Sequence, residues 1–175
     1  MQTWDAITSR RNVRSFADRP IPAADLDRIL EAGRRAPSSQ NWQPWDFILV
    51  TDRDQLRQLA QVWRGAGHVA GSAATIVVIG PAADNEFRRA QLDLGQATMA
   101  MLLAAADLGI GSCHAGVADL PLARDVLGFP EDRDWALLIS LGYPAGRPLV
   151  PIRNPKRRPF TDVVHRGCWQ GTRPG

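Results

Sequence analysis

Apolar side chains recur along this chain in two rhythms. Leu26, Ile29, Leu30 and Gly33 fall three and four residues apart, the interval that gathers side chains on one side of a helix, and they predict an amphipathic helix over 23–35. Pro37 closes it, because the residue before a proline avoids the α region. Residues 3–9 predict a shorter helix, and Leu56, Leu59, Val62 and Trp63 predict another, opened by Asp52 and Asp54. Continuous apolar runs of strand length mark Phe47–Val50, Ala74–Ile79 and Trp135–Leu141 as strands, the last two buried. The longest helix is expected over 86–108. From Ala97 to Ala106 it is nearly all apolar and rich in Ala and Met, the pattern of a helix buried on every side, and Gly109 supplies a stop. Ile110–Val117 reads as extended or loop. Asp119 and Pro121 begin a short helix that ends near Gly128. Strands alternating with helices around one sheet predict an α+β or α/β layered domain.

The 175 residues fit one domain, 1–175. From Gly142 the character changes: five prolines fall between 144 and 159, with Lys156, Arg157 and Arg158 among them. Such a tail, about 145–175, cannot build its own core and is expected to lie along another surface. Lys and Arg number 21 against 18 acidic residues, a net charge of +3 that is scattered rather than blocked, so nucleic acid is not an expected partner. Cys113 and Cys168 lack a CxxC spacing, and His68, His114 and His165 lack metal-ligand spacing, which argues against disulfides or a metal site. The N-terminus has no apolar export signal and no apolar run is long enough to span a membrane, so a cytoplasmic protein without membrane attachment is expected. GxSxG, HExxH, the Walker loop and GxGxxG after a strand are all missing. An enzyme built this way would take its hard chemistry from a borrowed cofactor.

Two segments carry candidate chemistry. Arg10, Arg11 and Arg14 stand in an extended stretch, where three guanidinium groups could converge on one phosphate through bidentate bonds; the alternative is a solvated basic face. Ala36-Pro37-Ser38-Ser39-Gln40-Asn41-Trp42-Gln43-Pro44-Trp45 packs hydroxyls, carboxamides and two indoles between a helix and a strand. Those groups suit a planar heteroaromatic, or simply a turn with packing tryptophans.

In order, these segments resemble the nitroreductase family of flavoproteins: R-R-x-x-R, then A-P-S-S-x-N-x-Q-P-W, then Leu108-Gly109-Ile110-Gly111-Ser112-Cys113, Leu141-Gly142-Tyr143-Pro144 and Lys156-Arg157-Arg158-Pro159-Phe160. The resemblance runs from about residue 4 to 170. It implies an α+β fold with a central, mostly antiparallel sheet flanked by helices, a homodimer with exchanged C-terminal tails, and FMN held across the dimer interface. By position it puts Arg10, Arg11, Asn12 and Arg14 on the FMN phosphate and ribityl chain, joined by Lys156 and Arg158. Pro37, Ser38, Ser39 and Asn41 would reach the flavin of the other subunit. His114, Ala115 and Gly116 would lie along its reactive edge, with a backbone N–H facing N5 and no side chain acting as catalytic acid or base. The implied reaction is ping-pong: NADH or NADPH delivers hydride to FMN, and a small-molecule acceptor, a nitroaromatic, quinone or similar conjugated compound, then takes the electrons. Relatives also run dehydrogenations and oxygen-dependent flavin breakdown, and a non-catalytic FMN-sequestering role stays open. Asn12 stands where serine is common. About ten residues separate Trp63 from the strand at Ala74, so the excursion that lines the substrate pocket in larger relatives is reduced or absent.

Overall fold

The computed structural model describes residues 2–82 and 85–169, leaving aside the side chains of 85–87. Helices α1 (Thr3–Ser9) and α2 (Ala23–Arg34) lead into strand β1 (Asp46–Val50) and helix α3 (Arg53–Leu59). Strand β2 (Ala74–Gly80), helix α4 (Asn85–Asp107), strand β3 (Gly111–Gly116), helix α5 (Leu120–Leu127) and strand β4 (Trp135–Gly142) follow. The strands form one sheet in the order β1-β2-β4-β3, antiparallel throughout.

Every residue of β2 is buried, because helices cover both faces of the sheet. Ile76, Val78, Ile139 and Leu141 pack against Ile29, Leu94 and Met101 of α2 and α4. On the other face Val77, Ile79, Leu138 and Ala115 meet Leu56, Leu59 and Ala123 of α3 and α5. Each fully buried Ile or Leu contributes about 1.5–3 kcal/mol, so these two layers dominate the fold's stability. The helix ends are built as the sequence suggests. Asp52 accepts from the N–H groups of Asp54 and Gln55, Asp119 accepts from that of Leu122, and Gly128 ends α5 with a left-handed φ of 72°.

Three expectations change. Helix α3 stops at Leu59, and Val62 is buried from the turn beyond it. Segment 111–116 is a full strand, although its glycines, Ser112 and His114 have little strand preference; pairing with β4 decides it. Helix α4 is not buried all round: Leu92 is 72% exposed and Met99 43%. The apolar surplus read as core is in part an uncovered stripe.

Candidate functional site

The site is assembled on the free edge of β3. The N-terminal segment lies against that edge, with Asn12 bridged to Ser112 and Val13 donating its N–H to the Ser112 carbonyl at 2.9 Å. Gly111 permits the approach: a Cβ there would stand 2.8 Å from Val13 Cβ. Gly142 does the same for Phe16, whose ring carbon lies 2.7 Å from where a Cβ would be. Backbone groups alternate sides along a strand. Ser112 turns its backbone outward to Val13, so His114 and Gly116 also turn theirs outward, while Cys113 and Ala115 face Ser140 and Leu138 in the ladder. The N–H groups of His114 and Gly116 are therefore open donors on the sheet edge.

Two cavities adjoin this edge. One of about 380 Å³ is lined by Arg10, Arg11, Asn12, Asn154, Lys156 and Arg157, which gathers cationic groups from both ends of the chain. The other, of about 260 Å³, runs between β3 and α4 and is lined mainly by apolar groups, including Met99, Leu102, Trp135 and Leu137, with His114 and Thr98. Arg10 lines both. Thr98 Oγ1 is buried without a hydrogen-bond partner among the described atoms, which leaves a polar atom at that cavity's wall.

The cationic side chains differ in their partners. Arg11 donates to the carbonyls of Arg147 and Pro148, so it clamps the tail, and burial together with the like charge of Arg147 lowers its pKa. Arg14 lines neither cavity; its charge acts on His68 and Cys113 behind β3. Arg158 donates to the Asp162 carbonyl at 2.8 Å, and Arg157 takes its expected place at the cavity. Within the single chain described, the first part of the tail is tied to the N-terminal residues. Ala145 N–H bonds to the Ser15 carbonyl of the extended N-terminal segment and Ile152 N–H to the Thr8 carbonyl, which is free at the C-terminal end of α1. Residues 153–164 are exposed, with Phe160 and Val163 uncovered, and 170–175 lie outside the described residues.

The loop 36–45 stands elsewhere. Buried Asp93 of α4, 2% exposed, accepts from Ser39 N–H at 3.0 Å and from the Trp42 indole at 2.8 Å. Ser38 Oγ accepts from Gln43 N–H. These bonds hold Gln40, Asn41 and Gln43 at positive φ, a conformation that costs L-residues energy and clusters at functional sites. Pro37, Ser39 and Asn41 remain exposed. At 3.6 residues per turn, the α4 residues lining the apolar cavity (Gln91, Gly95, Thr98, Leu102) lie roughly opposite Asp93 on the helix. Within one chain the loop and the cavity thus occupy opposite faces of α4, and the exposed Leu92 and Met99 stripe runs between them.

Behind β3 lies a buried polar chain. His68 Nδ1 is 2.8 Å from Ser140 Oγ, which donates to the Cys113 carbonyl at 3.1 Å. Burial first, then the charges of Arg14 and His114, hold the His68 pKa below its ordinary value. Burial raises that of the Cys113 thiol against the pull of Arg14. Sequence reasoning missed Asp93, Thr98 and this chain. Asp93 alone left a signal, a carboxylate beside the apolar helix positions Ala90, Leu94 and Ala97.

Among the described residues no group of His, Cys, Asp and Glu is arranged to hold a metal, and no helix is long and apolar enough to cross a membrane. The profile of the nitroreductase family matches residues 7–66 and 63–143. A protein of Archaeoglobus fulgidus, provisionally named NADH dehydrogenase/NAD(P)H nitroreductase, is 34% identical over 172 residues, covering 93% of this chain and 96% of its own. The crystal structure of a similarly named protein from Parabacteroides distasonis superposes with a TM-score of 0.84 at 30% identity, over 97% of this chain and 99% of that one. An FMN-dependent nitroreductase from Clostridium difficile gives 0.83 at 25% identity, over 95% and 99%. The chain belongs to the nitroreductase family.

Proposed function

We propose that this chain is an FMN-dependent NAD(P)H oxidoreductase that works as a homodimer and reduces nitroaromatics, quinones or similar conjugated acceptors by a ping-pong reaction. One observation carries the reading: Arg10 lines both a cationic cavity and an apolar one, so a single elongated ligand with an anionic tail and a flat ring suits the pair. FMN has that shape and charge. Arg10, Asn12 and Lys156 would hold the phosphate, where charge-assisted bonds are strongest. The ring would lie along β3, within reach of the N–H groups of His114 and Gly116.

When bound, FMN supplies hydride transfer, from NAD(P)H to the second substrate. The chain's own residues position the ring and set its surroundings. Fixed backbone donors on a rigid strand need no reorganisation during reaction. The charge of Arg14 acts on the Cys113 thiol of the same strand. The geometry of α4 supports a second copy. If two chains met through Leu92, Met99 and the exposed Trp4 and Ile7 of α1, the loop of one would reach the cavity of the other, bringing Pro37, Ser38, Ser39 and Asn41 to the ring. The exposed apolar residues of the tail would then find cover on the partner, the exchange being confined to residues beyond Ile152.

Purified protein incubated with FMN and desalted should retain a flavin spectrum that bleaches with NADPH or NADH under anaerobic conditions and returns with a nitroaromatic or quinone. A colourless protein would overturn the proposal. Tight retention without bleaching would favour a sequestering role.

A further inference from the structure

We propose that His68 and Ser140 are positioning residues for the edge of β3, acting through one directed chain of hydrogen bonds that polarises the peptide unit between Cys113 and His114. The inference deepens the flavin reading and rests on it for its role in the reaction.

The direction of the chain follows from proton counting. The Cys113 carbonyl can only accept, so the 3.1 Å contact from Ser140 Oγ uses that hydroxyl's single proton. His68 Nδ1, 2.8 Å from the same oxygen, must then be the donor. Neutral His68 is therefore the Nδ1–H tautomer, and its Nε2, buried and without a partner among the described atoms, carries no proton. Burial and the nearby charge of Arg14 favour this neutral form.

The chain ends on a peptide unit with two faces. Its carbonyl points into the ladder toward Ser140, and its N–H, that of His114, points out at the open edge where the ring would lie. A hydrogen bond to a peptide carbonyl strengthens the N–H of the same unit as a donor, and bonds in series reinforce one another by about 10–30% each. His68 and Ser140 thus act on the donor without touching the ligand. Ser140 is fully buried; Val77, Leu138 and Ala115 on that face are apolar, and of the two residues directly opposite it, Cys113 and Thr75, the Thr75 hydroxyl is engaged with Ser72 Oγ at 3.1 Å. Its backbone already faces Cys113 in the ladder, so the ladder does not require the hydroxyl.

The experiment compares wild type with Ser140→Ala, Ser140→Thr and His68→Gln, each carrying FMN. The readouts are the His114 amide proton and nitrogen shifts by NMR, the flavin midpoint potential, and FMN per chain. Ser140→Ala should keep its flavin, move the His114 amide upfield and change the ratio of affinities for oxidised and reduced FMN by about twofold. Ser140→Thr, which keeps the hydroxyl, should restore wild-type values, and His68→Gln should give a smaller change of the same sign. Flavin-loaded Ser140→Ala with an unchanged His114 amide and potential would overturn the inference, as would a shift spread evenly over β3 that threonine fails to reverse. Absence of FMN from wild type would instead strike the functional reading, because the amide shifts of flavin-free protein still report whether the chain exists.

Discussion

Asp93→Ala tests how the loop 36–45 is held. The carboxylate accepts from Ser39 N–H at 3.0 Å and from the Trp42 indole at 2.8 Å; the Gln96 contact, at 3.5 Å, is at the limit of a hydrogen bond and adds little. Bonds to a charged acceptor contribute about 1.5–3 kcal/mol each, so truncation removes roughly 3–6 kcal/mol. The loop also stores strain. Gln40, Asn41 and Gln43 sit at φ of 52°, 57° and 52°, and each such residue costs about 1–2 kcal/mol. Once the anchor is gone that strain, about 3 kcal/mol or more, relaxes with the loop. The two effects largely cancel. The expected outcome is a global loss of only about 1–2 kcal/mol in urea unfolding, with hydrogen-exchange protection lost at Ser39 and the Trp42 indole and FMN retention weakened. Asp93→Asn keeps an acceptor oxygen and should cost about 1 kcal/mol without freeing the loop. Unchanged exchange at those two positions in Asp93→Ala would refute the anchoring. A global loss above about 4 kcal/mol would refute the strain that offsets it.

Three further outcomes are expected. Arg10→Ala should weaken FMN retention by about 1.5–3 kcal/mol in equilibrium dialysis, whereas Arg158→Ala, whose guanidinium is turned to Asp162, should cost less; equal losses would misplace the phosphate. The lowered His68 pKa makes the unfolded chain bind a proton first, at its ordinary pKa of about 6.5, so stability should fall as pH drops below that value toward the folded pKa. His68→Gln should flatten that slope in urea melts between about pH 5 and 7, and an unaltered slope would contradict the assignment. Leu92→Glu with Met99→Glu should yield monomers in analytical ultracentrifugation with an unchanged far-ultraviolet spectrum, since both side chains are exposed in a single chain.

What the sequence discloses depends on how local its causes are. Helix α2 and strands β2 and β4 follow from apolar spacing alone, and the helix caps from single side chains such as Asp52 and Asp119. Strand β3 reads only as extended or loop because its residues do not favour a strand; β4 on one side and Val13 on the other impose it. The apolar second half of α4 has the same composition whether it faces a core or a second copy, so the exposure of Met99 could not be read. The motif order located the arginines and the 36–45 loop, but not their division between two faces of α4, which depends on the three-dimensional path of the loop over Asp93. His68 and Ser140 left no signal, being 72 positions apart.

A mixed dimer decides whether the flavin site is shared between chains. One chain carries Arg10→Ala and the other Ser39→Trp, with separable tags, and FMN per dimer is measured beside the two parent homodimers. Sites built from the cavity of one chain and the loop of the other leave one site intact and one doubly damaged. The mixed dimer should therefore hold one FMN where each homodimer holds little or none. A mixed dimer as empty as its parents would show that both segments serve the same chain, contrary to their placement on opposite faces of α4.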